Sequence, residues 1–138
     1  MKKLFILCSI LMLSLFLPCK VQADEGEPID EFVYLTKCVQ AEAGNQDFRG
    51  KRLVAAVILN RVASEKFPNS IVEVINAPRQ FAVVANKSIN TVEVDQETIN
   101  ACRMELAHRS DTDILYFNNS SQVSGKFCYK YGGHWFGR

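Results

Sequence analysis

Glu42 is the residue whose type and position first suggest chemistry. Residues 31–43 have helical spacing, because Phe32, Leu35, Val39 and Glu42 recur at steps of three and four. This spacing places the carboxyl group on the apolar face of the helix. Burial disfavours the charged form of a carboxyl group and raises its pKa. The last turn of a helix also disfavours an anion, because that end of the macrodipole is negative.

Both effects predict a carboxyl group that keeps its proton near neutral pH. A general acid that assists a poor leaving group needs this property. Small residues flank the acid in Ala41-Glu42-Ala43-Gly44-Asn45, so a ligand has room to approach and the Asn45 amide can hydrogen-bond to it. The alternative is a side chain that turns to solvent at a frayed helix end. The small neighbours of Glu42 favour the general acid.

The elements that must position this acid are mainly helical. Residues 48–62 have helical spacing behind Asp47, which suits a helix start, and their apolar content is typical of a central core helix. Ser70 is an N-cap signal for a short segment over residues 71–75. Helical spacing returns over residues 95–109. The sequence therefore predicts a domain built chiefly from helices.

A small sheet is predicted after the last helix. Residues 76–94 lack clear periodicity, whereas residues 114–117 and 126–131 are β-prone. Turn-forming residues connect these two runs over 118–125, which is typical of a β-hairpin. The predicted fold class is α+β, mainly helical with a small antiparallel β-hairpin.

Residues 1–23 are predicted to be a signal peptide. Two lysines precede an apolar run over residues 4–17, and residues 21–23 carry the modest side chains that signal peptidase accepts. The run is shorter than the roughly 20 residues that a membrane span needs, although an uncleaved anchor is the alternative. Cleavage would leave residues 24–30 as a flexible lead-in and residues 31–138 as the folded domain.

Charge and cysteine content narrow the classes of function. Beyond residue 23 the chain has 13 lysines and arginines against 15 acids, with no basic patch, so nucleic acid is not an expected partner. An exported chain permits one disulfide among Cys38, Cys102 and Cys128 and leaves one thiol over. These cysteines and the two histidines lack zinc spacing, so no metal or cofactor is predicted.

The chain resembles the SleB/CwlJ-type cell-wall hydrolases, a family first associated with lysis of the spore cortex. The resemblance is carried, in order, by residues 41–46, 50, 55–62, 67–71, 74–75, 80–81, 115–118 and 132–136. Two features depart from the family pattern. Gly137 stands where a tyrosine is usual, and a tryptophan that usually precedes the final glycine-histidine segment has no clear counterpart.

The resemblance implies a lysozyme-like or transglycosylase-like domain acting on the β-1,4-linked glycan of peptidoglycan. It also implies that Glu42 is the catalytic acid, and Glu42 alone matches a catalytic position of the family. One acid suffices for a lytic transglycosylase, which closes a 1,6-anhydro ring and consumes no water. The expected protein is a secreted or periplasmic monomer, associated with the cell wall and without a stable membrane span after signal cleavage.

Six residues are candidates for binding the glycan: Asn45, Gln80, Phe81, Tyr116, Asn118 and His134. Phe81 could instead anchor a loop in the core. Because neighbouring residues of a strand face opposite ways, one of Tyr116 and Phe117 should face the cleft, and the tyrosine is the better candidate. His134 could bind substrate, orient Glu42 or serve the structure alone. Asn60 is predicted to be a buried structural amide tied to the loop after Glu42.

Three other functions remain open at this stage. A true muramidase would add water, with Asp47 or Glu73 as a second carboxylate. A thiol peptidase would use Cys38 with His134, although a mid-helix position does not favour a thiolate. A non-catalytic glycan-binding module would leave the placement of Glu42 unexplained.

Overall fold

The computed structural model describes residues 28–119 and 127–138, so the predicted signal peptide lies outside the described residues. Helices precede a small sheet along the chain. The helices are α1 (Glu31–Ala43), α2 (Phe48–Ala63), α3 (Ile71–Asn76), α4 (Ala82–Ala85), a 3-10 turn (Ser88–Asn90) and α5 (Gln96–Ala107). The strands are β1 (Tyr116–Asn118), β2 (Phe127–Tyr131) and β3 (His134–Gly137). The predicted α+β class is confirmed.

Each of the four longer helices begins at a side-chain cap. The Asp30 carboxylate accepts from two backbone N–H groups of α1, and Asp47 accepts from the Gly50 N–H at 2.8 Å. Ser70 caps α3 and Asp95 caps α5 in the same manner. These side chains satisfy donors that have no partner within the helix. The start signals predicted at Asp47 and Ser70 were therefore correct.

Helix α2 forms the centre of the core. Every residue from Leu53 to Arg61 is buried, and the helix packs against α1, α3 and α5. A helix that is apolar on all sides requires this surrounding, because no face of it can be left in water. Helix α1 packs on α2, and its Leu35, Cys38 and Val39 are fully buried in the core. The last turn of α1, with Glu42, is thereby held against a rigid centre.

Two buried charges connect α2 to α5. Lys51 is 1% exposed, and its Nζ lies 3.2 Å from Asp95 and 2.8 Å from Glu97. Glu105 is fully buried and pairs with Arg52 at 3.0 Å. Charges survive burial when they are paired and hydrogen-bonded. These pairs hold α5 in place beside the central helix.

The sheet differs from the predicted hairpin. Its order is β1-β3-β2, and β3 is antiparallel to both neighbours. The predicted direct pairing of residues 114–117 with 126–131 is therefore wrong. A turn at Gly132, whose φ is +53°, reverses the chain after β2. The tail then returns as a strand that buries His134 and Phe136, which explains its central place.

The stretch over residues 76–94 is largely irregular, as predicted, but it contains α4 and the 3-10 turn. Val83 and Ile89 anchor these two short elements in the core. Among the described helices, none combines the length and the apolar character that a membrane crossing requires.

Candidate active site

A cleft of about 440 Å³ opens between the end of α1, the segment before α4, and strand β1. This volume is within the range that binding sites for small ligands occupy. The lining residues are Glu42, Arg61, Arg79, Gln80, Ala82, Tyr116, Phe117, Asn118 and Asn119.

Glu42 lies on the last turn of α1 and is partly buried. Burial raises the pKa of its carboxyl group above the ordinary value, and a hydrogen bond from the Val83 backbone N–H opposes this shift. The net shift is upward, in the direction that the helical pattern predicts. Glu42 therefore combines access to the cleft with a stabilised neutral form.

The cleft brings together several of the predicted binding residues. Gln80, Tyr116 and Asn118 line it beside Glu42. Phe117 lines it as well, although its ring also packs near Phe81 at a centroid distance of 6.1 Å. Both aromatic residues of β1 thus contribute to the cleft wall.

Three predicted binding residues lie elsewhere. Asn45 is exposed and accepts a hydrogen bond from Gln46 Nε2 at 2.9 Å. Phe81 is 3% exposed and packs in the core. His134 is 4% exposed, and its ring meets Phe117 edge-on at 5.2 Å. None of the three is among the residues that line the cleft. Their roles in substrate binding remain predictions.

The environment of His134 favours a neutral ring. Burial lowers its pKa, and its Nδ1 atom is buried without a hydrogen-bond partner in the described part of the chain. A neutral imidazole in an aromatic setting supports the packing of β3 against β1. The geometry therefore favours the structural role for this residue over direct contact with a ligand in the cleft.

Arg61 is a cleft residue that the sequence analysis missed. It is 4% exposed, and its Nε donates to the Leu115 carbonyl at 2.7 Å. Its guanidinium carbon lies 5.2 Å, 5.3 Å and 5.7 Å from the ring centroids of Phe67, Phe81 and Tyr116. Burial lowers its pKa, but a guanidinium stays protonated in proteins. The sequence signal was a charged residue inside the apolar run of α2.

Asn60 is buried as predicted, but its partners are different. Its Nδ2 donates to the carbonyls of Asp111 at 2.9 Å and Ile114 at 2.8 Å, and its Oδ1 accepts from Arg109. The predicted tie to the loop after Glu42 is therefore wrong. Asn60 instead attaches α2 to the segment that leads into β1, because that segment has carbonyl groups without strand partners.

The proposed carboxylate partners for Glu42 are engaged outside the cleft. Asp47 caps α2 and accepts from the Tyr131 hydroxyl at 2.8 Å, and these hydrogen bonds lower its pKa. Glu73 is exposed and interacts with Ser70 at 3.1 Å. Among the described residues, Glu42 is the one acid that lines the cleft.

The cysteines offer no nucleophile in the described ranges. Cys38 and Cys102 are free, buried thiols. Burial raises the pKa of Cys38 well above its usual range and that of Cys102 to about 12. Such thiols do not form thiolates near neutral pH. The geometry thus opposes a thiol peptidase, while the side chain of Cys128 lies outside the described residues.

Comparison with known proteins decides the family. Residues 45–137 match the family model described as cell wall hydrolase. This chain belongs to the cell wall hydrolase family. The matched region begins three residues after Glu42. A spore cortex-lytic enzyme of Bacillus cereus is 32% identical over 106 residues, and that of Bacillus subtilis is 44% identical over 93 residues.

These alignments include 75% and 65% of this chain but only 40% and 30% of the two enzymes, so the chain spans well under half their length. Solved structures of this family have the same fold. The catalytic domain of the germination-specific lytic transglycosylase SleB from Bacillus anthracis superposes with a TM-score of 0.69 at 27% identity. It covers 84% of this chain and all of that domain. The SleB catalytic domain of Bacillus cereus gives 0.70 at 27% identity, covering 83% and 94%.

Proposed function

We propose that this family member cleaves peptidoglycan strands between N-acetylmuramic acid and N-acetylglucosamine as a lytic transglycosylase, with Glu42 as its one catalytic carboxyl group. The observation that carries this proposal is a partly buried carboxyl group in a cleft whose described lining holds no second acid. The similarity to SleB, described as a lytic transglycosylase, supports the same reaction class.

In the first step Glu42 acts as a general acid. Its protonated carboxyl group donates to the glycosidic oxygen that leaves C1 of N-acetylmuramic acid. Cleavage of this bond develops positive charge at C1 and leaves Glu42 as a carboxylate. The raised pKa of Glu42 keeps the proton available for this transfer.

In the second step the same side chain acts as a base. The Glu42 carboxylate accepts the proton of the C6 hydroxyl of the same sugar while that oxygen bonds to C1. The product is a 1,6-anhydro end, Glu42 regains its proton, and no water is consumed. A second carboxylate, which a hydrolase uses as a nucleophile or to activate water, is not needed.

The other cleft residues suit a polysaccharide. The rings of Tyr116 and Phe117 offer apolar faces to sugar rings, while the amides of Gln80 and Asn118 offer both donors and acceptors. These groups would hold the strand with the scissile oxygen near Glu42. We further propose that the protein acts as a monomer outside the cytoplasm, at the cell wall.

Digestion of purified sacculi tests the proposal. The wild-type protein should release fragments with 1,6-anhydro ends, which mass spectrometry identifies because they are lighter by one water than hydrolysis products. Glu42→Gln should abolish release while its circular dichroism spectrum stays unchanged. Glu73→Gln, which changes an exposed acid outside the cleft, is the matched control and should retain activity.

The other outcomes are equally distinct. Reducing ends without anhydro ends would replace the transglycosylase with a muramidase. Binding to sacculi without any fragment release would make the chain a glycan-binding module. Full activity in Glu42→Gln would refute the catalytic assignment.

A further inference from the structure

The positive charge of Arg61 has no acidic partner in the described ranges. The ion pairs found there join Lys51, Arg52, Arg109 and Arg138 to carboxylates, but not Arg61. Its Nη1 atom is buried and has no hydrogen-bond acceptor, although Nε is satisfied by Leu115. A buried charge normally requires both a counter-charge and hydrogen bonds. Among the described residues, the Arg61 guanidinium therefore lacks both a counter-charge and a hydrogen-bond acceptor for Nη1.

Three aromatic rings hold this guanidinium in the wall of the cleft. Phe67, Phe81 and Tyr116 lie within cation–π distance of it. The ring faces compensate part of the charge, but they offer no acceptor to match the planar N–H donors. Arg61 lines the cleft, so a ligand in the cleft can approach it. The rings thus hold the guanidinium in place, and a ligand in the cleft would supply the missing hydrogen-bond acceptor.

Arg79 is a second cation in the lining of the same cleft. It is exposed, and its backbone has φ of +63°, the left-handed region that non-glycine residues rarely adopt. Such strain persists where surrounding structure imposes it, and it is frequent at ligand sites. With Glu42 protonated, the charges in the described lining are those of Arg61 and Arg79 alone. The cleft is therefore suited to an anion.

We propose that Arg61 and Arg79 form a carboxylate subsite that recognises the muramoyl residue beside the scissile bond. This inference rests on the proposed glycan-cleaving function. Guanidinium groups bind carboxylates through paired hydrogen bonds, which a neutral acetamido group cannot match. The muramoyl residue carries a lactyl carboxylate when its stem peptide is absent, and peptide carboxylates when the peptide is present. Both sources present a carboxylate to the two arginines.

Chemically defined glycan strands separate the two sources. The first substrate is strands stripped of peptide by an amidase, which have free lactyl carboxylates. The second is intact strands with stem peptides. A portion of each is treated with methylamine and a carbodiimide, which converts carboxylates to neutral methyl amides. Release of anhydro ends is then followed as a function of strand concentration for all four substrates.

The wild-type protein should discriminate strongly between strands with free carboxylates and strands whose carboxylates are capped as methyl amides. Capping should raise KM by about tenfold to a hundredfold, the range for a hydrogen bond to a charged group. A lactyl source predicts this rise in the stripped strands, and a peptide source predicts it in the intact strands. Equal KM values for free and capped strands in both pairs would overturn the subsite.

Two variants connect the discrimination to the arginines. Arg79→Gln should lower the ratio of capped to free KM, and Arg61→Lys should do so while keeping a positive charge. Lys66→Gln removes one exposed charge outside the cleft and should keep the wild-type ratio. A ratio that is unchanged in Arg79→Gln and in a folded Arg61→Lys would contradict the assignment.

The two proposals fail in different ways. If the wild-type protein cleaves every strand but ignores capping, the subsite is wrong and the catalytic proposal stands. If it cleaves none, the catalytic proposal is wrong. The subsite is then tested by binding of the same strands to Glu42→Gln, where binding that ignores capping would overturn it as well.

Discussion

The Oε1 atom of Gln46 accepts a hydrogen bond from the Gly133 backbone N–H at 2.8 Å. This contact joins the loop after α1 to the turn between β2 and β3. The neighbouring Asp47 accepts from the Tyr131 hydroxyl, so the same loop is attached to the sheet at a second point. The helix end that presents Glu42 is therefore coupled to a turn distant in sequence.

Gly132→Ala should destabilise the protein. Gly132 has φ of +53°, and an added Cβ would lie 2.2 Å from Gln46 Oε1. An alanine at positive φ lowers the free energy of unfolding by at least about 1 kcal/mol, and the close contact lowers it further. Thermal unfolding should show a fall in Tm of about 4–8 °C per kcal/mol for a domain of this size.

Gly133→Ala is the matched control for that change. Its added Cβ would lie 3.0 Å from Nε2 of the same Gln46 amide, a longer contact than at Gly132, and its φ is not in the left-handed region. Its Tm should fall less than that of Gly132→Ala. Adding Gln46→Ala to Gly132→Ala should relieve the clash but not the backbone strain. An equal loss for the two glycines would contradict this account.

Glu42→Gln should make the protein more stable at neutral pH. The pKa of Glu42 is raised in the folded state, so the folded protein binds this proton more tightly than the unfolded chain does. Stability is therefore lost as pH rises from below the unfolded pKa to above the folded one. Glutamine removes this penalty. Urea unfolding should show a gap between variant and wild type at pH 7 that closes towards pH 4.

The rate of glycan cleavage should fall on the alkaline side of its pH profile. A general acid must be protonated to act, so activity is lost as pH rises through the folded pKa of Glu42. That midpoint should lie above the pKa of an exposed glutamate, because burial raises it. Initial rates measured from pH 4 to pH 9 give the midpoint. A midpoint at the value of an exposed glutamate would contradict the role of burial.

Glu105→Gln should destabilise the protein severely. Glu105 is fully buried, accepts from Arg52 Nε at 3.0 Å and from the Ser110 N–H at 2.7 Å, and lies 3.6 Å from Arg109. A glutamine leaves two arginines without a counter-charge and turns an NH₂ group towards a donor. Breaking a buried pair in this way costs about 3–5 kcal/mol.

Glu97→Gln is the control for Glu105→Gln in chemical denaturation. Glu97 pairs with Lys51 at 2.8 Å, but its side chain is 51% exposed. The buried Lys51 keeps Asp95 as a partner in this variant, so the loss of stability should be at most about 1 kcal/mol. Similar free energies of unfolding for the two variants would show that burial of Glu105 does not set its contribution.

The helices could be predicted because their signals are local. The periodicity of residues 31–43 and the caps at Asp47 and Ser70 depend on neighbours within one or two turns. The sheet order could not be predicted in this way. The place of β3 between β1 and β2 depends on contacts between residues distant in the chain, whereas turn-forming residues 118–125 favoured a local hairpin.

The candidate site was predicted in part for the same reason. Glu42 was recognised because a carboxyl group on an apolar stripe is unusual at any position. Arg61 was missed because its significance comes from three aromatic rings that meet only in the folded chain. Phe67 lies in the turn after α2, Phe81 directly before α4, and Tyr116 on β1. His134 and Phe81 were proposed as ligand candidates beside a structural alternative, because sequence does not show which face of a segment is covered.

The order of the strands also constrains how the domain is completed during synthesis. The middle strand is the last of the three in the chain, and neither β1 nor β2 has the other as a partner. Both earlier strands therefore lack a partner until residues 134–137 can pair with them, and unpaired strand edges favour aggregation. A premature stop shortly before His134 would leave β1, which carries Tyr116 in the cleft wall, without its hydrogen-bonded neighbour.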